Sequence, residues 1–258
     1  MTLSRRPGRR VRPGGAVRSF PTVLLAGLVS VFVLFVGCLP VQARVGGGDR
    51  PDPSTAYSSE QPRTLDGLGS PLPVRDTGRA RQLVVVRADC RTCTSATLQA
   101  WEVIAPGRGM PVTPPVRAKV GERGVGAAYE NSRTTPLGTY ALTEAFGRQP
   151  DPGTRMPYFV AGPYDYWDDD SGSPTYNLHV RSPWRPAGES LGGAGAVYDY
   201  AVVMGVNPDR RPYGGSGFFL HVTDGRPTLG CVAIDAPALV QILRWLSPSA
   251  HPQIVVTL

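Results

Sequence analysis

The 258-residue chain predicts a mainly β domain with one helix near its C-terminus. Three features point there. Short runs rich in Val, Thr, Tyr and Phe recur along the chain, 31 glycines and 27 prolines punctuate them, and a single late segment has helical rather than two-residue spacing. An apolar fraction of 41% supplies a core and excludes a wholly disordered or fibrous protein.

Residues 1–43 set topology rather than fold. They carry Arg5, Arg6, Arg9, Arg10, Arg12 and Arg18 and no acid, ahead of Val23 to Cys38, a run of sixteen residues whose only polar member besides the Cys is Ser30. A basic segment before such a run reads as an export signal, close to the roughly 18 residues of a spanning helix. Its processing has three expected endings. Leu34-Phe35-Val36-Gly37-Cys38 matches a bacterial lipoprotein signal, in which the Cys is acylated and becomes the new N-terminus. A retained membrane anchor comes second, and cleavage after Val41-Gln42-Ala43 is the third. Cys38 is otherwise one more apolar residue of the run.

Residues 44–80 hold 6 Gly, 5 Pro and 7 Ser or Thr, with no periodicity. So polar a stretch cannot offset its ordering entropy by burial, and it is expected to be a flexible linker. Residues 81–258 then form one domain of ordinary size. Its strands are expected at Leu83 to Arg87, Thr97 to Ile104, Val116 to Val120, Gly138 to Thr143, Ala196 to Val206, Phe218 to Thr223 and Gln253 to Leu258. The helix starts at Asp235, a capping residue, with Pro237 in its first turn. Leu239, Val240, Leu243 and Leu246 give its apolar stripe, and Pro248 stops it.

The formal charge of +7 first suggests a nucleic-acid or acidic-membrane partner. Removing the six N-terminal arginines leaves 21 basic against 20 acidic groups, and the remainder is nearly neutral. No nucleic-acid partner is expected. Of the four cysteines, Cys90 and Cys93 form a C-x-x-C, either a small disulfide or two free thiols, and Cys231 stands alone.

Chemistry concentrates in Gly217 to Val232. Period-two alternation points Phe218, Leu220 and Val222 one way and Phe219, His221 and Thr223 the other. Gly225 and Pro227 turn the chain, and Gly230 precedes the lone Cys231. A Cys and a His brought together by that turn can make a nucleophile, with the amides of Gly230 and Cys231 as oxyanion donors. Spacing alone also fits a strand histidine beside a buried structural thiol.

At these residues the sequence resembles the L,D-transpeptidase catalytic domain of YkuD type. Leu220-His221-Val222-Thr223 is similar to that family's Ile-His-Gly-Thr strand, and Thr228-Leu229-Gly230-Cys231 to its Ser/Thr-His-Gly-Cys turn. Upstream, Thr135-Pro136-Leu137-Gly138-Thr139-Tyr140 resembles its Thr-Pro-x-Gly-x-Phe strand entry. Tyr200-Ala201-Val202-Val203 and Leu243-Arg244-Trp245-Leu246 are similar to an actinobacterial branch. The resemblance implies a β-sandwich or barrel-like domain with loop-rich insertions. It also implies peptidoglycan cross-linking in cell-wall biogenesis, through a cysteine acyl-enzyme on stem peptides. Cys231 would be the nucleophile and His221 the base, with Gly230, Leu229, Thr228 and Thr223 around oxyanion and substrate. No metal or organic cofactor is implied, and the expected form is a monomer on the outer face of the cytoplasmic membrane or in the wall. Two departures stand out: Leu229 replaces the family's second His, and Ala233 replaces an Arg or Asn. An L,D-carboxypeptidase, which releases the same acyl group to water, is one alternative, and the two departures motivate a second, a non-catalytic wall-binding lipoprotein.

The family's third partner, a backbone carbonyl that orients the His, is expected in the loop 214–217. Asp168-Asp169-Asp170 reads as a solvated acidic turn, lacking the spacing of a calcium loop. Tyr158, Phe159, Tyr164, Tyr166 and Trp167 line a cleft or pack a core, His179 is a hydrogen-bonded structural residue, and His251 lies at the surface.

Overall fold

The computed structural model describes residues 69–258 apart from Arg75, Arg185 and Ala187. The export segment, Cys38 and most of the 44–80 linker lie outside the described residues. The first strands are β1 (Ser70–Pro71), β2 (Gln82–Ala88), β3 (Ser95–Ala105), β4 (Arg108–Pro111) and β5 (Val116–Lys119). Next come β6 (Val125–Gly126), β7 (Thr135–Pro136), β8 (Gly138–Gly147), β9 (Tyr158–Val160), β10 (Asp165–Trp167), β11 (His179–Arg181) and β12 (Glu189–Ser190). The last are β13 (Ala201–Met204), β14 (Phe219–Val222), β15 (Val232–Ile234) and β16 (Gln253–Thr257), with the helix α1 (Ala236–Trp245) before β16.

Eight strands close on themselves in the order β3-β2-β16-β8-β13-β14-β15-β5, because β5 pairs with both β15 and β3. The long β3 makes this possible: Ser95 to Leu98 pairs with β5, while Trp101 to Ala105 pairs with β4 outside the ring. Pairing is mixed, with β16 parallel to β2 and β14 parallel to β15. The expected mainly β, barrel-like fold with one C-terminal helix is what forms.

The run Leu83-Val84-Val85-Val86 is buried throughout because both faces of β2 are covered. Val84 and Val86 join the main aliphatic core, while Leu83 and Val85 meet Leu72, Ala80 and Val255. Leu239, Ile242 and Leu243 of α1 and Leu246 at its C-cap enter the main core with Leu98, Val202 and Leu220. Asp235 occupies the N-cap with extended backbone, but its side chain makes no capping hydrogen bond.

Three expectations need correction. The strand placed at Ala196 to Val206 begins only at Ala201, because Gly195–Tyr198 is a 3-10 turn that an apolar run does not distinguish from a strand. Strand β15 was not expected at all; at three residues it is too short to show a period. Within the expected loop-rich stretch, β11-β10-β12 form a separate three-stranded sheet. Cys90 and Cys93 are disulfide-bonded, and Cys231 is free and buried.

Candidate active site

The parallel register of β14 and β15 pairs Leu220 with Val232 and His221 with Ala233. Cys231, one residue ahead of β15, therefore lies beside Phe219. The Phe219 N–H donates to Sγ at 3.3 Å, and the thiol donates to the Gly217 carbonyl at 3.4 Å. On β14 the expected alternation holds. Phe218 and Leu220 enter the aliphatic core, and Phe219 enters an aromatic cluster with Phe146, Trp167, Tyr198 and Cys231.

His221 is only 8% exposed, and its Nδ1 lies 2.8 Å from the Val222 carbonyl. A carbonyl only accepts, so Nδ1 carries the proton and Nε2 is left as the basic nitrogen. The orienting carbonyl is thus that of Val222 and not one in the 214–217 loop, whose Gly217 carbonyl serves the thiol instead. Tyr198 meets the imidazole edge-on, ring centroids 5.4 Å apart and planes at 90°.

Two sequence motifs, whose threonines Thr135 and Thr228 lie 93 residues apart, converge on the Cys231 carbonyl. Thr228 Oγ1 donates to it at 2.7 Å and Thr135 Oγ1 at 3.0 Å. Thr228 Oγ1 in turn accepts the Gly230 N–H at 3.1 Å, and Thr135 Oγ1 accepts the Gly121 N–H at 2.8 Å. Gly230 is required by shape: its φ is +145°, and a Cβ there would sit 2.8 Å from the Phe218 ring.

Cys231 and His221 line one cavity of about 420 Å³, together with Leu229 and Gly230. Thr228 lies behind it as the clamp just described. Thr223 stands apart: its amide donates to Ile234 and its hydroxyl accepts from Gly225, so it shapes the turn and does not face the cavity. Leu229 is 70% exposed at the rim, whereas Ala233 is buried in β15. The cavity also takes in Glu130, Arg133, Trp167, Asp169, Glu189 and Tyr198. Sequence reasoning missed Thr135 as a positioning group, and also Glu189 and Tyr198. Only Thr135 had a signal, its place in the Thr-Pro motif.

Electrostatics keep the resting pair uncharged. Burial pushes the Cys231 thiol well up and the negative Glu189 adds to this, against a smaller opposing effect of the Phe219 N–H. Burial pushes His221 down, opposed by its bond to Val222 and by Asp224. Tyr198 donates to Glu189 Oε1 at 2.6 Å. Glu189 is exposed as a residue, and its carboxyl is raised by partial desolvation of the acid group against the lowering effect of that bond.

The other candidates resolve as structure. Asp168 is buried rather than solvated, accepting from Ser173 at 2.5 Å, Thr175 at 2.6 Å and the Asp170 amide at 2.9 Å. Burial raises its carboxyl, but these bonds outweigh that and hold it below the usual range. Among the described residues no His, Cys, Asp and Glu group is arranged to hold a metal. His179 bonds Asp165 at 2.8 Å and stacks on Phe159, away from the cavity. Of the aromatic set only Trp167 lines the cavity; Tyr164 is exposed, and Phe159 stacks on Phe146.

No curated protein matches the chain. A protein-family model, the L,D-transpeptidase catalytic domain YkuD, matches residues 81–256, the stretch that runs from β2 into β16 and carries both cavity residues His221 and Cys231. The chain therefore belongs to the YkuD family of L,D-transpeptidase-type, peptidoglycan-modifying domains.

Proposed function

We propose that the protein is a cysteine L,D-transpeptidase that cross-links peptidoglycan stem peptides, with Cys231 as nucleophile and His221 as base. The observation that carries this reading is the single cavity shared by a thiol and an imidazole whose Nε2 is free to take a proton. Because burial disfavours both thiolate and imidazolium, the sulfur is not stored as an anion. Nε2 removes the Sγ proton as the sulfur attacks the carbonyl of the third stem residue, a contribution of roughly 100- to 10,000-fold for such a base. The Gly230 amide is already bonded to Thr228, so the Cys231 amide is the oxyanion donor of the expected pair. One such donor is worth roughly 100- to 1,000-fold. Collapse breaks the C–N bond, His221 returns its proton to the leaving D-Ala amine, and the stem remains as a thioester. An amine of a second stem then takes the acyl group. Leu229 and Ala233 remove side chains at the rim and in β15; they leave the thiol, the imidazole and the threonine clamp in place.

Residues 1–43 fit this reading as an export device, with lipidation at Cys38 the first expectation and a retained or cleaved signal the others. Among the described residues no helix is long and apolar enough to cross a membrane. A Cys38→Ser change that alters neither mature mass nor membrane partitioning rules lipidation out. For the chemistry, a carbapenem is expected to add its mass to the intact wild-type protein and not to Cys231→Ala. An adduct on the variant, or none on the wild type, overturns the nucleophile assignment.

A further inference from the structure

The cavity has a strongly biased charge. Three of its lining residues are acids, Glu130, Asp169 and Glu189, and its one cation, Arg133, is held 2.5 Å from Glu122. Glu130 is engaged by the Tyr176 hydroxyl. Glu189 is placed differently. Tyr198 anchors its Oε1, while Oε2 has no hydrogen bond among the described residues and lies 3.7 Å from the position a Cβ on Gly217 would occupy. Gly217 is the residue whose carbonyl accepts the Cys231 thiol hydrogen. One carboxylate oxygen is thus fixed, and the other lies near Gly217 on a residue that lines the same cavity as the nucleophile.

We propose that Glu189 receives the cationic amine of the acyl acceptor, holding it beside the Cys231 thioester so that amine transfer is favoured over release to water. This rests on the acyl-enzyme reading above. An alkylammonium, with a pKa near that of lysine at about 10.4, arrives with one proton too many to attack. It passes that proton to Glu189, which returns it to solvent at the cavity mouth. The nitrogen lone pair attacks the thioester carbon, the C–N bond forms and the C–S bond breaks. The second surplus proton of the nitrogen passes through His221 Nε2 to the departing sulfur, restoring the thiol. The sum is thioester plus ammonium giving amide, thiol and one released proton. The raised affinity of Glu189 for a proton suits it to accept one from an ammonium. Its charge also disfavours a resting thiolate, and pairing with an ammonium removes that repulsion.

The test compares products of one acyl-enzyme, so any change in acylation rate cancels. The full chain and its Glu189→Gln variant are acylated with a soluble tetrapeptide stem. Each is then offered either a lysine amide, cationic at neutral pH, or hydroxylamine, uncharged there, with water as the competitor. Glu189→Gln is expected to lower the lysine-amide-to-water product ratio about tenfold or more, the size of one lost charge-assisted hydrogen bond, and to leave the hydroxylamine ratio unchanged. Tyr198→Phe keeps the ring against His221 but frees the carboxylate, and gives a smaller fall in the lysine-amide ratio alone. Ratios that stay equal to wild type, or that fall together for both nucleophiles, overturn the assignment to Glu189. Failure of the wild type to form an acyl-enzyme overturns the transpeptidase reading instead.

Discussion

Strands β8, β13 and β14 separate two cores made of different materials. One face carries Ala145, Val202, Met204, Phe218 and Leu220 into a largely aliphatic cluster completed by α1. The other carries Phe146, Ala201, Val203 and Phe219 into an aromatic cluster that includes Tyr198 and Cys231. Aliphatic packing is set by volume and has no required orientation. Aromatic packing does have one: Phe219 receives Phe146, Trp167 and Tyr198 edge-on at 5.1, 5.1 and 5.6 Å, and Tyr198 continues the pattern onto His221. Stability and placement of the reacting groups are therefore assigned to opposite faces of the same strands.

The largest effect that sharpens this division is in the aliphatic core. Leu243 is fully buried there, and Leu243→Ala is expected to cost about 2 to 5 kcal/mol in denaturant unfolding. The rate of carbapenem adduct formation per folded molecule should stay at the wild-type value; a fall in that rate to match would break the division. Thr135→Val comes next, since Thr135 is buried and bonds both the Cys231 carbonyl and the Gly121 amide. Unfolding should cost about 1 to 3 kcal/mol less, and here adduct formation should slow as well, because the carbonyl next to the nucleophile loses one of its two clamps. Unaltered adduct kinetics would show that Thr228 alone suffices.

The smallest effect is in pH dependence. His221 has its pKa lowered from 6.5 by burial, so the acid limb of adduct formation should fall below pH 6.5. The sign for stability follows from linkage. Above 6.5 the imidazole is neutral in both folded and unfolded chains and nothing is lost. As pH falls from 6.5 towards the folded value, the unfolded chain takes up the proton first and stability declines. An NMR titration of His221 with a midpoint at or above 6.5 would contradict the burial that causes the shift.

Much of this arrangement was legible in residue order. The alternation of Phe218 to Thr223 separates the two cores because side chains on a strand must alternate. The helix ends at Trp245, three residues before Pro248, and the motif residues Cys231 and His221 line one cavity. What was hidden depends on long-range pairing. Glu189 reaches the cavity because β12 pairs with β10, and neither three-residue nor two-residue strands leave a period to read. Tyr198 was hidden by a misread run: Ala196-Val197-Tyr198 is apolar enough for a strand, yet forms the 3-10 turn that brings the ring to His221. The family resemblance places the partner of His221 in the loop 214–217, whereas the adjacent carbonyl of Val222 holds it.

Strand β16 follows every other described strand in residue order, yet it lies between β2 and β8 in the barrel wall. A ribosome finishes both neighbours long before it makes residues 253–257. Until then β2 and β8 each present an unpaired edge, and an open wall of that kind is prone to pair with other chains. Closure of the wall between β2 and β8 therefore depends on residues 253–257.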